Sequence, residues 1–214
     1  MRPGPSWRPA RDEPTVTVLL RHGQTPMSVQ KRYAGRSDVP LTDTGVRQAA
    51  AAAKRLAPAG IAVIVTSPLL RTAQTAQEVA AVTGAAVVTD DGFRETDFGA
   101  WEGLTFAVVR ERWPAELAAW LADPEVAPPG GESFTDVNAR VTAALHRVLA
   151  DREGRRVLIV SHVTPIKTLV AAALLAPPAA MFRMHLDLAA LSEIDWYADG
   201  PALLRSFNDT GHLS

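Results

Sequence analysis

Residues 16–28 read VTVLLRHGQTPMS. The opening VTVLL has too little polar alternation for a strand with one face in water, and suits one covered on both faces. It stops abruptly at Arg21, His22 and Gly23. Two other stretches share this grammar: IAVIVTSP (residues 61–68) leads towards Arg71, and VLIVS (residues 157–161) leads into His162. Each is followed by a helical pattern. Strands alternating with helices predict an α/β fold, a three-layer sandwich whose central sheet is mainly parallel with helices on both faces. AAVVT (residues 85–89) adds a short strand. LSEIDWY (residues 191–197) and ALLRSF (residues 202–207) bracket the turn signal ADGP and predict an antiparallel edge hairpin.

Between these strands the helices carry recognisable ends. Thr42 suits an N-cap, Val46, Ala49, Ala50, Ala53 and Leu56 form the expected buried side, and Pro58 with Gly60 stops the helix. A second helix is expected from about Pro68, since proline fits a first turn. Residues 101–131 are irregularly helical and end in DPEVAPPGG, an excursion expected to pass over the edge of the sheet, with Trp101, Trp113 and Trp120 as packing anchors in preference to substrate-stacking groups. From Glu132 onwards, Phe134, Val137, Val141, Leu145 and Val148 keep helical spacing.

With 214 residues, 47% hydrophobic and 21% charged, the chain has the composition of a globular protein, and residues 15–214 are expected to form one domain. A net charge of -1 supplies no general attraction to nucleic acid or acidic lipid, so an anion site must be a local cluster. The absence of cysteine excludes disulfides and thiol chemistry and suits a cytoplasmic protein. LVAAALLA (residues 169–176) is shorter than the roughly 20 residues of a membrane span. Residues 1–14, MRPGPSWRPARDEP, hold four prolines and no apolar core of a signal peptide, and are expected to be a flexible linker or tail.

In open parallel sheets ligands bind beyond the carboxyl ends of the strands. Arg21, His22, Arg71 and His162 all follow such ends, so the topology gathers two guanidiniums and two imidazoles on one rim, with acidic residues from FRETDFG (residues 93–99). Guanidinium forks suit phosphate or carboxylate oxygens, and Gly23 would let the backbone approach a bound group. A rival reading takes His22, His162, Glu95 and Asp97 as metal ligands, although the neighbouring arginines would repel a cation. Arg36 is expected to touch substrate or, equally, to be solvated or to pair with Asp38. His146 is assigned a structural role, and His185 and His212 belong to no constellation.

Six ordered blocks then carry a specific resemblance: RHGQT (residues 21–25), GRSDVPLTDTGVRQA (35–49), SPLLRTAQTA (67–76), ETDFGAWEG (95–103), PGGESF (129–134) and VSHVTPIK (160–167). Together they resemble the histidine phosphatase superfamily in its phosphoglycerate-mutase-like branch. They are most similar to α-ribazole phosphatases and to the phosphatase half of bifunctional ribonuclease H/acid phosphatase proteins. The resemblance implies a metal-independent phosphomonoesterase with no cofactor, acting on a small phosphorylated substrate. His22 would be the nucleophile, Arg21 and Arg71 the phosphate clamp, a protonated His162 the second imidazole, and Glu95 the proton donor, with Asp97 as its competitor. Gln24, Ser28 and Arg36 would add substrate contacts, Ser28 standing where many relatives have asparagine. Thr164 and Pro165 suit a helix start whose free N–H groups would favour an anion.

A neutral imidazole is an available nucleophile near pH 7, and the loose transition state of phosphoryl transfer lets positioned cations do most of the catalysis. The resemblance also implies a tethered ribonuclease H domain in a longer parent protein, with the proline-rich start as the linker. Neither membrane binding nor nucleic-acid binding is expected of this domain, and its oligomeric state is left open. A phosphoglycerate mutase would use the same residues, and a non-catalytic phosphate-binding or interaction module is the remoter alternative.

Overall fold

The structure, a computed structural model, describes residues 13–214. The expected proline-rich linker, but for its last two residues, lies outside the described residues. In chain order the elements are β1 (Thr15–Arg21), α1 (Pro26–Val29), α2 (Asp43–Leu56), β2 (Val63–Thr66), α3 (Leu70–Thr83), β3 (Ala86–Thr89) and α4 (Phe106–Arg112). There follow α5 (Pro114–Ala122), α6 (Phe134–Asp151), β4 (Arg156–Ser161), α7 (Val163–Ala173), β5 (Leu191–Trp196) and β6 (Ala202–Asp209).

The six strands form one sheet in the order β3-β2-β4-β1-β5-β6. The first four run parallel, while β5 joins β1 antiparallel and turns into β6 as a hairpin at the edge. This is the mainly parallel sheet with an antiparallel edge that the sequence predicts. Side chains alternate between two apolar layers. Val18, Leu20, Leu158 and Val160 pack with α2 and α3 on one face, and Leu19, Val157 and Ile159 pack with α6 and α7 on the other.

Three expectations need correction. The side of α2 that is buried is Gly45, Ala49, Ala52, Ala53 and Leu56, while Val46 and Ala50 face solvent. Alanines on every side of this helix blur its apolar stripe, and its position is set by backbone contact instead. A Cβ on Gly45 would lie 2.1 Å from the Gln24 carbonyl oxygen, and one on Gly23 would lie 2.4 Å from that of Gly45. Gly23 therefore makes room for α2. The helix expected from Pro68 begins two residues later at Leu70, whose N–H is capped by the Asp38 carboxylate at 2.6 Å. The excursion does not cover a sheet edge: Phe98, Trp101, Val109, Leu117 and Trp120 form a third cluster with Phe134 and Met181, and several of these wall the rim above β1 and β4. Among the described residues no helix is long and apolar enough to cross a membrane.

Candidate active site

Register brings the two histidines together. Arg21 pairs with Ser161 across β1 and β4, so the next residue of each strand, His22 and His162, emerges at the same level. His22 is 6% exposed and His162 fully buried, with ring centroids 5.2 Å apart. The Gly23 carbonyl lies 2.8 Å from Nδ1 of His22 and can only accept, so Nδ1 carries the proton and Nε2 keeps its lone pair. At His162 the order is reversed. Arg71 Nε donates to Nδ1 at 3.2 Å, which leaves Nε2 to donate to Ser67 Oγ at 2.8 Å. Burial, reinforced by Arg21 and Arg71, holds His22 well below the usual imidazole range. Burial, then Arg71, His22 and Arg21, does the same to His162. The protonated His162 expected from the sequence is thus disfavoured by its surroundings, and only a strongly anionic ligand would reverse that balance.

The two guanidiniums differ. Arg21 lines the pocket and donates from Nη1 to the Leu186 carbonyl at 2.6 Å, while its Nε is buried without a protein partner. Burial lowers its pKa to about 10, with Glu95 and Asp187 opposing, so it stays charged at neutral pH. Arg71 is completely buried behind the pocket. Its Nη1 donates to Ser37 at 2.7 Å, and Nη2 to the Ala34 and Gly35 carbonyls at 2.9 and 3.0 Å. Most of its hydrogen-bonding capacity therefore anchors the loop of residues 34–37 and sets the tautomer of His162. A cation near a helix N-terminus is unfavourable alone, but Glu95, Glu102 and Asp38 compensate it.

Glu95 is 8% exposed and lines the pocket. Its carboxylate accepts from the N–H groups of Thr96 at 2.8 Å, Val163 at 3.1 Å and Thr164 at 3.3 Å. The N–H groups expected to meet a bound anion at the start of α7 are occupied by this side chain. Arg140 fixes the loop from behind, donating to the carbonyls of Gly92, Arg94 and Glu95 at 3.0, 2.7 and 2.9 Å while pairing with Glu132. Asp97, the competing acid, points elsewhere: it accepts from Gly99 N at 2.9 Å and pairs with Arg36 at 2.8 Å. The four groups of the metal reading thus do not converge, and no cluster of three or more His, Cys, Asp or Glu suited to a metal occurs among the described residues.

The expected substrate contacts fare unevenly. Ser28 lines the pocket, but its hydroxyl donates to the Thr25 carbonyl at 2.7 Å and completes the capping box of α1. Gln24 lies outside the pocket lining and accepts from Thr42 Oγ1 at 2.9 Å at the start of α2. Arg36 is exposed, and its partner is Asp97 instead of Asp38. Beside Ser28, the cavity of about 390 Å³ is lined by residues the sequence did not single out, among them Arg32, Tyr33, Lys167, Met181 and Phe182. Lys167 had a signal, since it falls one helical turn beyond Val163. Tyr33 and Phe182 had none, because they arrive from unrelated loops. Of the three tryptophans, Trp120 alone lines the cavity, packed edge-on against Trp101 and Phe182.

The sequence model of the histidine phosphatase superfamily (branch 1) matches residues 17–210. The bifunctional protein Rv2228c of Mycobacterium tuberculosis is 51% identical over 210 residues, which cover 98% of this chain and 58% of that protein; the chain thus spans little more than half of that relative. A protein of Proteus mirabilis named "Probable phosphoglycerate mutase GpmB" is 37% identical, with 92% of this chain and 94% of that one covered. The solved mycobacterial glucosyl-3-phosphoglycerate phosphatase superposes with a TM-score of 0.85 at 33% identity, covering 92% of this chain and 100% of its own.

Proposed function

The chain belongs to the histidine phosphatase superfamily, and we propose that it is a metal-independent phosphomonoesterase that hydrolyses small phosphate monoesters through a phosphohistidine on His22. One observation carries this: the Nδ1–H of a buried His22 is committed to a carbonyl 2.8 Å away, leaving Nε2 unprotonated on a residue that lines the cavity together with Arg21. Nε2 attacks phosphorus and the P–O ester bond breaks. Arg21 holds the equatorial oxygens, Arg71 adds its charge from behind the pocket, and the charge of the oxygens favours a proton on His162. The departing alkoxide takes a proton from Glu95, which next removes one from the water that splits the phosphohistidine. Ser28, Gln24 and Arg36 drop out as direct contacts in this reading.

The finer assignment is of the acid phosphatase or α-ribazole phosphatase type, in which the aromatic wall of Trp120 and Phe182 would receive a planar alcohol portion. Phosphoglycerate mutase is the second reading, supported by the relative so named. Hydrolysis is preferred because residues 101–131 are a short segment carrying Glu102, Glu111, Glu116, Asp123 and Glu125, where mutases of this type tend to carry a longer and more basic cover. The proposal also includes a cytoplasmic setting and a ribonuclease H unit joined to this one in a longer protein, supported by the partial span of a relative called bifunctional.

The test is steady-state phosphate release from a panel of monoesters that includes α-ribazole phosphate and 3-phosphoglycerate, the latter also with its bisphosphate primer. His22→Asn should lose roughly 10⁴-fold or more in kcat, together with the acid-labile phosphoprotein trapped on rapid quenching of the wild type. Retained turnover in His22→Asn would sink the nucleophile, and isomerisation outpacing phosphate release would favour the mutase.

A further inference from the structure

A second cavity, also of about 390 Å³, shares a wall with the catalytic one: Phe134 and Met181 line both. The same two helices build it. On α7, Thr164 lines the catalytic cavity, and Thr168, Ala171 and Ala172 line the second at the following turns of the same face. On α6, Asn138 and Thr142 continue the face that begins at Phe134. Both successions start at the catalytic cavity and lead away from it, so the second cavity is a groove between α6 and α7 that prolongs the first. From Phe134 to Thr142 it follows α6 for about 12 Å.

The chemistry changes along the way. Arg21, Arg32, Glu95 and Lys167 line the first cavity, whereas no charged side chain lines the second. The Thr168 hydroxyl donates to the Thr164 carbonyl at 2.9 Å, so α7 presents mainly methyl groups to the groove. Leu175, also in the lining, is 90% exposed and holds a left-handed backbone at φ 52°, a costly arrangement that keeps an apolar side chain in water. Of the two residues in the shared wall, Phe134 is held by ring contacts with Trp120 and Phe182, while Met181 is unbranched and adaptable.

We propose that this groove extends the substrate site and takes a long, uncharged hydrocarbon chain on the alcohol portion of a phosphate monoester, admitted past Met181. This rests on the phosphomonoesterase reading of the catalytic cavity. Continuity decides the occupant: a chain whose phosphate is held at Arg21 and His22 reaches the groove without leaving the protein, and a lining without charge favours a hydrocarbon over an anionic tail.

Kinetics with butyl, hexyl and octyl phosphate, each below its micelle concentration, test it. A buried methylene is worth roughly two- to fourfold, so wild-type kcat/KM should rise from butyl to octyl by roughly ten- to hundredfold. Ala172→Trp, which fills the groove from α7, should bring the octyl-to-butyl ratio close to one, and Thr142→Trp should do the same from the facing helix. Both positions are half-buried, and a native near-ultraviolet circular dichroism spectrum serves as the control for folding. A flat series in the wild type overturns the inference, as does a ratio that survives in both folded variants, since the chain would then lie in the catalytic cavity. An unchanged ratio together with a lower mass in analytical ultracentrifugation would assign the groove to a second copy of the chain and overturn it too. Failure of the wild type to hydrolyse any of these esters, or 4-nitrophenyl phosphate, would instead remove the phosphatase reading beneath it.

Discussion

His22 and His162 stand at the ends of neighbouring parallel strands, whereas Phe98 and Trp120 reach the same pocket from a segment outside the sheet. The first region is fixed by a ladder whose residues Leu19, Leu20, Leu158, Ile159 and Val160 are all fully buried, so neither imidazole can shift without disturbing both apolar layers. The second is secured mainly by its own cluster, with Trp101 at its centre. Chemistry and substrate shape are thus carried by separately anchored parts, and substitutions should divide the same way: changes on the strand side should alter rate, and changes in the excursion should alter which ester is accepted.

The largest separation is expected at Glu95, which belongs to the strand side through its bonds to the start of α7. Glu95→Gln keeps the shape and removes the proton. Alkyl phosphates, whose leaving groups need that proton, should slow by about 10²- to 10⁴-fold in kcat. 4-Nitrophenyl phosphate, with a far better leaving group, should slow much less. Equal losses across a leaving-group series would mean that Glu95 acts only by holding α7 and its loop in place.

A smaller effect is expected in the excursion. Trp120→Leu preserves much of the apolar volume but removes the ring contacts with Trp101, Phe134 and Phe182. A planar alcohol against the Trp120 ring would contribute about 0.5–1.5 kcal/mol as one aromatic pair, so KM for such esters should rise roughly two- to tenfold, with a smaller change in kcat. A larger fall in kcat than rise in KM would show that the two regions are mechanically coupled after all.

The same contrast explains what the sequence disclosed. The strand ends were legible because unbroken apolar runs are local signals, and parallel topology obliges residues after such runs to share a rim. Thr42 was legible as a cap because its hydroxyl acts on Gly45, three residues away. The face of α2 was not, because close approach between Gly45 and Gln24 decides it and leaves no trace in apolar spacing. The hydrogen bonds of Ser28 and Gln24 were not legible for a related reason: a polar residue near a nucleophile can serve the ligand or the backbone. Here Thr25 and Thr42 claim them. The engagement of Arg71 with Ala34, Gly35 and Ser37 depends on a loop more than thirty residues distant, and Tyr33 and Phe182 reach the pocket by packing that no short motif encodes.

The last prediction concerns stability, and it separates the regions by pH. Burial holds His22 and His162 well below 6.5 in the folded protein, while in the unfolded chain each takes up a proton near 6.5. Below that pH the unfolded state binds more protons, so stability falls with acidification, approaching about 1.4 kcal/mol per pH unit for each histidine; above it these groups contribute no slope. His212, also lowered by burial, adds in the same direction. Asp136, held low by Ser133, and Asp187, held low by Asn208 and His185, weaken the fold only at more acid pH, which leaves a window from about 6.5 to 4.5 governed by imidazoles. Denaturant midpoints across that window should fall for the wild type and fall less steeply for His162→Gln. Trp120→Leu should lower the midpoint by a similar amount at every pH, since the ring contacts it removes do not titrate. Inorganic phosphate should flatten the wild-type slope, because an anion beside the imidazoles makes their protonated forms less costly. A wild-type midpoint that stays level down to pH 5 would mean that the two rings accept protons in the folded protein as readily as in the unfolded one, and the neutral nucleophile would lose its structural basis.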